Sequence, residues 1–279
     1  MEKKSTGERL EFYGYSDVTI EHLHRYAIAN DFVKDKVVLD IASGEGYGSY
    51  ILSKNASKVI GVDIDKDAVI EAQKKYLNDN LNFTVGSADN IPLDSNTIDV
   101  VVSFETIEHH DKHDEMLIEI KRVLKHDGIL IMSSPDKEYY SDKIGQLNKF
   151  HVKELYFKEF KFLINKYFKF STFYFQKSYN YNSFISCDES YKDVEIYSGD
   201  NMLIQKGKIV PLYNLVLASD FSNYSLKTSI FEGSKIKNLE LNKLIEQKCY
   251  KIYDTTTFKV GKFLCYPFFK LKSIICKKV

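Results

Sequence analysis

The sequence predicts an α/β fold, a mostly parallel sheet with helices on both faces and a C-terminal extension. Two observations predict it. Strands and helices alternate through the first two thirds of the 279-residue chain, the pattern that builds parallel sheets from crossover units. The first apolar strand, KVVLDIA, also runs directly into a glycine-rich turn, SGEGYG, that opens a helix. Such a turn sets backbone N–H groups beside the polar part of a bound ligand.

Each element has its own reason. VTIEHLHRYAIANDFV carries apolar residues at helical spacing, with Ser16 or Asp17 as its cap. After the first strand and its turn, GSYILSKN starts a helix, and SKVIGVDID is a second strand. KDAVIEAQKKYLND is an amphipathic helix with Val69, Ala72 and Tyr76 on one face. LNFTVGSAD and the β-branched TIDVVVSFE are strands three and four. DKHDEMLIEIKRVLKHDG reads as a helix with Met116, Ile120 and Val123-Leu124 inward and Gly128 at its end, before a fifth strand, GILIMSSP. VKELYFKEFKFLINKYF is a further helix, and FKFSTFYFQ and VPLYNLVLASD are strands. Between these two strands, residues 179–207 are rich in Tyr, Asn and Ser and read as an insertion.

Composition excludes several classes of function. The chain has 39 basic and 39 acidic residues, which argues against a nucleic-acid footprint. Its four cysteines, Cys187, Cys249, Cys265 and Cys276, have no short metal-ligand spacing and read as free thiols of a cytoplasmic protein. MEKKSTGERLEF has no apolar run of the signal-peptide kind, and no stretch is long and apolar enough to span a bilayer.

The turn runs from Asp40 through Ala42, Gly44 and Gly46 to Gly48, followed by Ser49. A dinucleotide fingerprint wants G-x-G-x-x-G, and Ser49 breaks that spacing. Asp40 would also face a pyrophosphate with its own negative charge. The pattern suits a cofactor with an ammonium group and no phosphate, such as S-adenosylmethionine. Asp63, at the end of the second strand, can accept both ribose hydroxyls. At the end of the third, Asp89 can accept from the adenine amine while Ala88 frames the ring.

VLDIASGEGYGS, VIGVDID, GSADNIPLDSNTIDVVVSFETIEHH and EIKRVLKHDGILIMSSPDK resemble the class I S-adenosylmethionine-dependent methyltransferases of the ubiquinone-methylase type, over about residues 15–178. The resemblance implies a Rossmann-like sheet of seven strands, the last antiparallel, with S-adenosylmethionine as cofactor and S-adenosylhomocysteine as product. Ala42 stands where the family usually has glycine. GERLEFY, EHLHRYAIA and SPDKEYYSD…NKFHVKEL are similar to methyltransferases encoded among bacterial surface-polysaccharide genes. In these the Arg-Tyr pair, here Arg25-Tyr26, sits over the cofactor. Arg25 is then expected to clamp the methionyl carboxylate, and Tyr13 to close the same lid. The expected cofactor set is Tyr13, Arg25, Asp40, Ala42, Gly44, Gly46, Asp63, Ile64, Ala88, Asp89 and Glu105.

Methyl transfer to a hydroxyl needs a base, and histidine is the natural one near neutral pH. His109 follows the fourth strand and His151 lies after the fifth, so both fall on the edge where such sheets build sites. Glu105 and Glu108 can orient a histidine or touch the cofactor. The run His109, His110, Asp111, His113 fits no metal motif, and no metal is expected. The chain has no Pro-Pro pair, which disfavours a DNA-amine methylase.

The expected organisation is a cofactor-binding core with an N-terminal lid helix over 1–178, an insertion and final core strand over 179–220, and a helical, basic-aromatic extension over 221–279. The tail FKVGKFLCYPFFKLKSIICKKV has six lysines and no acid. It reads as a packing helix or as a segment lying on an anionic membrane, which would make the protein peripheral to the inner membrane. The expected partner is a small-molecule or glycan acceptor, with sugar O-methylation as the reaction. The alternatives are a small-metabolite or amino-sugar N-methyltransferase and a non-catalytic cofactor-binding module. A nicotinamide oxidoreductase is disfavoured by Asp40 and Ser49.

Overall fold

The structure is a computed structural model and describes residues 17–143, 145, 148–187 and 194–263. Tyr13 and the tail from residue 264 onward, with Cys265 and Cys276, lie outside the described residues. The chain divides into two compact units, residues 1–232 and 233–279.

Among the described residues, the first unit holds a nine-stranded sheet. In chain order its elements begin α1 (Asp17–Asn30), β1 (Val37–Ile41), α2 (Tyr47–Leu52), β2 (Lys58–Asp63), α3 (Lys66–Lys75), β3 (Leu81–Val85) and β4 (Ile98–Phe104). Then come α4 (His113–Val123), β5 (Leu124–Pro135), α5 (Phe157–Tyr167), β6 (Phe170–Tyr179) and β7 (Asn182–Cys187). β8 (Glu195–Gly199), β9 (Ile204–Lys208), β10 (Tyr213–Ser219) and β11 (Ser229–Glu232) complete it. The sheet order is β11-β7-β6-β10-β5-β4-β1-β2-β3, and β8 pairs with β9 in a separate hairpin. β1 through β5 pair in parallel, and β10 runs antiparallel between β5 and β6.

The expected seven strands are therefore present as β3-β2-β1-β4-β5-β10-β6, and the expected count is exceeded by two. β7 and β11 extend the β6 edge in antiparallel pairing. Part of the segment read as an insertion is thus a sheet strand: Phe184, Ile185 and Ser186 alternate well enough to join an edge, and Ser183, Ile185 and Ser186 are buried. β11 likewise draws residues 229–232 into the sheet.

Alternation along the central strands sends side chains to two cores. Val38, Val59, Val100 and Ile131 pack on one face with Ile28 and Ala29 of α1, Leu52 of α2 and Val69 and Ala72 of α3. Leu39, Val62, Val101 and Leu130 pack on the other with Met116, Leu117 and Ile120 of α4 and Phe160 and Ile164 of α5. α3 starts at an Asp65 cap that accepts from the Asp67 and Ala68 N–H groups at 2.8 and 3.1 Å. Tyr76 lies just past its end in extended backbone. One helix boundary differs from expectation. α4 stops at Val123, and Gly128 lies inside β5 rather than at a helix end. Leu124 is already extended, because β5 must begin early to pair Leu124 with Ile98.

The second unit contains α6 (Ser234–Asp254), a mostly exposed helix. No helix among the described residues is long and apolar enough to cross a membrane.

Candidate functional site

The strand order reverses between β1 and β4, and ligands of open α/β sheets sit at the carboxyl ends of the strands beside such a reversal. A cavity of about 870 Å³ opens there, within the size range of small-molecule sites. Ala42, Gly44, Asp63, Ile64, Ala88, Asp89, Glu105 and His109, eight of the residues expected from the sequence, line it.

The turn after β1 is built on left-handed backbone, with φ of 59° at Ala42, 53° at Gly44 and 80° at Gly46. A Cβ at Gly46 would lie 2.6 Å from the Phe83 ring, and one at Gly48 would lie 1.9 Å from Tyr26 Cζ. Glycine at these two positions therefore lets the turn and α2 close onto the sheet and onto α1. Gly44 N–H donates to Asp63 Oδ2 at 2.7 Å, and Asp65 N–H donates to Oδ1 at 2.9 Å. Asp63 thus clasps the turn. A carboxylate oxygen accepts at two positions, so each oxygen keeps one for a ligand hydroxyl.

Asp40 differs from expectation. It is 1% exposed and does not line the cavity. Ser49 Oγ donates to its Oδ2 at 2.6 Å, and the Tyr26 hydroxyl lies 3.3 Å from Oδ1. Burial pushes its carboxyl up to about 7, against the opposing effect of the Ser49 and Tyr26 hydrogen bonds. Asp40 joins β1, α2 and α1 through these bonds. Gly46 also sits behind the wall, against Phe83.

Exposed Ile64, with Ala88 and Asp89, also lines the cavity. Asp89 accepts from Lys112 Nζ and Ser87 Oγ, and the Lys112 hydrogen bond holds its carboxyl down at about 2. It is therefore an ionised acceptor near neutral pH. The Tyr47 hydroxyl bonds His22 Nδ1 at 2.9 Å, and both residues line the cavity. Burial, with the neighbouring Arg25 charge, lowers His22 to about 3 and keeps it neutral.

Glu105, the residue after β4, has a φ of 51°, a strained conformation for a residue with a side chain. Ser133 Oγ donates to its Oε1 at 2.6 Å, and Arg25 Nη1 lies 3.0 Å from the same oxygen. Arg25 is fully buried, donates from Nε to Gln176 Oε1 at 2.6 Å and stacks over Tyr213 with Cζ 4.3 Å from the ring centre. It does not line the cavity. The expected carboxylate clamp is therefore a buried anchor of Glu105, because β6 and β10 cover the guanidinium.

His109 and His151 come together although 41 residues separate Phe150 from His109. Val152 and Lys153 N–H groups both donate to Glu108 O, at 2.8 and 3.0 Å, and staple the loop after β5 to the turn after β4. His109 Nδ1 lies 3.2 Å from Phe150 O. A carbonyl only accepts, so Nδ1 carries the proton and Nε2 the lone pair. His151 packs edge-on against His109, with centroids 5.1 Å apart, and stacks on Tyr140. It lies behind the lining, which here is His109, Tyr140, Asn148 and Phe150. Glu108 is 1% exposed, and burial, then the nearby Glu105 charge, raises its carboxyl well above the usual range. Tyr140, Asn148, Phe150, Lys112 and Ser133 were not singled out in the sequence. The loop KEYYSD…NKFH was the only pointer to the first three.

The geometry defines a Rossmann-like methyltransferase fold. It superimposes on a crystal structure of a SAM-dependent methyltransferase from Archaeoglobus fulgidus with a TM-score of 0.54 at 20% identity, covering 74% of this chain and 95% of that one. Residues 39–132 match the family described as a methyltransferase domain. A protein of Mycolicibacterium smegmatis described as a probable S-adenosylmethionine-dependent methyltransferase is 34% identical over 119 residues, covering 42% of this chain and 46% of that protein. The mitochondrial ubiquinone biosynthesis O-methyltransferase of Candida albicans is 30% identical over 129 residues, covering 43% and 38%. The chain spans less than half the length of these curated relatives.

Proposed function

We propose that the chain is an S-adenosylmethionine-dependent methyltransferase that methylates an oxygen of a sugar or sugar-linked group in bacterial surface-polysaccharide synthesis. One observation carries the methyl-transfer reading. A glycine turn clasped by Asp63 shares one cavity with Ile64, Ala88, Asp89 and His109. The match of residues 39–132 to the methyltransferase family supports it.

The residues present fit the cofactor. The backbone at Gly44 is open, Asp63 keeps acceptor positions for ribose hydroxyls, and Ile64 and Ala88 offer apolar contact to a purine with ionised Asp89 beside it. When bound, the cofactor supplies a methyl on a sulfonium, whose loss leaves a neutral thioether. The protein then has to exclude water, align the acceptor and move one proton. With the cofactor bound, the acceptor oxygen would take the methyl as the C–S bond breaks toward sulfur, and His109 Nε2 would take the hydroxyl proton. Glu105, fixed by Ser133 and Arg25, is placed to hold a neighbouring hydroxyl.

The polar lining by Glu105, His109 and Asn148, with Tyr140 beside it, supports a hydroxylated acceptor. An O-methyltransferase among the relatives supports oxygen as the nucleophile. The sugar itself rests on the similarity of the GERLEFY, EHLHRYAIA and NKFHVKEL segments to polysaccharide-gene methyltransferases. Incubating the chain with methyl-labelled cofactor and a panel of nucleotide sugars, glycan fragments and quinone precursors tests it. Label should enter a sugar hydroxyl with matching release of S-adenosylhomocysteine. Label entering only a quinone or an amine would overturn the acceptor assignment.

A further inference from the structure

The turn after β4 and the loop after β5 bring three metal-ligating side chains to one point. Glu108, His109 and His151 each direct one donor atom into a space where all three lie within 4.8 Å of one another. The second imidazole nitrogen of each histidine is already committed. His109 Nδ1 donates to Phe150 O at 3.2 Å, and His151 Nδ1 bonds Glu154 Oε1 at 2.5 Å. That is the outer arrangement metal-ligating histidines show, one N–H given to a carbonyl or carboxylate so that the other nitrogen presents its lone pair.

An independent observation comes from Glu108. It is 1% exposed, and neither carboxylate oxygen has a hydrogen-bond partner among the described residues. A buried carboxylate left without a donor is costly. His109 Nε2 approaches Glu108 Oε1 at 3.9 Å without bonding it. The His151 ring is oriented in the same way: Phe150 N–H donates to Asn148 Oδ1 at 3.1 Å, so Asn148 turns its Nδ2 toward His151 Nε2, at 2.9 Å. Asn148 Nδ2–H thus holds the place of an electrophile at that lone pair.

We propose that Glu108, His109 and His151 bind a divalent transition-metal cation beside the cavity, where His109 lines it. Two imidazoles and one carboxylate suit zinc, iron, cobalt or manganese rather than magnesium or calcium, which prefer all-oxygen shells. Three protein ligands leave positions open, and His109, Asn148 and Phe150 of this cluster border the cavity. Ligands of a cation with bonds of about 2.1 Å stand ~3.4 Å apart in a tetrahedron. A side-chain shift of about 1 Å and release of the Asn148 contact complete the site. The proposal rests on the acceptor reading above and deepens it. A cation here would hold the acceptor hydroxyl and make it more acidic, with His109 Nε2 as a ligand in place of its direct role as base.

The test uses tag-free full-length protein stripped with a chelator and dialysed against micromolar Zn²⁺ or Co²⁺. Bound metal is measured by mass spectrometry, and Co²⁺ also by its visible absorption. One equivalent per chain is expected, with affinity lowered at least ten-fold by His151→Ala and by Glu108→Gln, and unchanged by His113→Ala. Circular dichroism checks that each variant is folded. Wild-type protein that retains no cation, or folded His151→Ala protein that retains it as wild type does, would overturn the proposal. Calorimetry with S-adenosylmethionine on the same preparations reads the methyl-donor site separately, so failure of one reading is distinguishable from failure of the other.

Discussion

Asp40→Asn should flatten the dependence of stability on pH. In the folded protein the Asp40 carboxyl titrates at about 7 instead of its usual 3.8, chiefly through burial. The folded state therefore binds more protons than the unfolded chain between about pH 4 and pH 7, and stability falls as pH rises through that window. A shift of about three pH units is worth on the order of 4 kcal/mol, at 1.36 kcal/mol for each. Asparagine keeps an acceptor for Ser49 Oγ and removes the charge. Urea unfolding of both proteins from pH 4 to pH 8 measures the effect. Other raised acids, such as Glu21 and Glu108, cancel in the difference between the two curves. Wild type should lose about 3–4 kcal/mol relative to the variant across the range. Parallel curves would refute the assignment of a buried, high-pKa carboxyl to Asp40.

Asp63→Ala should weaken S-adenosylmethionine binding by about 1–3 kcal/mol, the loss expected when hydroxyls and the Gly44 N–H lose their acceptor; calorimetry showing wild-type affinity would remove Asp63 from the site. Ala42→Gly should stabilise the fold by about 0.5–1 kcal/mol, since φ of 59° costs an L-residue more than glycine loses in chain entropy; a lower midpoint in urea would show that the Cβ contributes packing instead. His109→Ala and His151→Ala should each lower turnover by about 10²-fold with cofactor affinity intact; full rates in both would exclude either histidine from proton transfer or acceptor activation.

The parallel half of the fold was legible because short β-branched apolar runs such as VVL and VVVSF, bounded by turn residues, favour buried strands over helices. The misplaced end of α4 has a local cause: LKHDG carries helix-ending signals, and only pairing with β4 reveals that Leu124 already belongs to β5. β7 and β11 were hidden by polar composition: β7 buries two serines beside Ile185, and β11, at the sheet edge, leaves Ile230 and Glu232 exposed. At the site, Asp63 ends β2 as its place in the sequence predicts, whereas the third strand stops at Val85, so Ala88 and Asp89 reach the cavity lining from the loop after it rather than from a strand end. The roles of Asp40 and Arg25 were not legible, because the same positions serve a cavity or a buried network according to which way the side chain turns. Asp40 turns toward Ser49 and Tyr26, and Arg25 toward Gln176 and Glu105. The meeting of His151 with His109 and Glu108 depends on two backbone hydrogen bonds to Glu108 O, which no spacing in the sequence encodes.

A crystal of the full chain grown with S-adenosylhomocysteine tests the methyl-donor site at the level of atoms. The ligand should lie along the Gly44 turn, with its ribose hydroxyls on Asp63, its purine between Ile64 and Ala88, and its sulfur facing His109. Density for the ligand elsewhere, or a cavity that stays closed to it at saturating concentration, would contradict the methyltransferase reading.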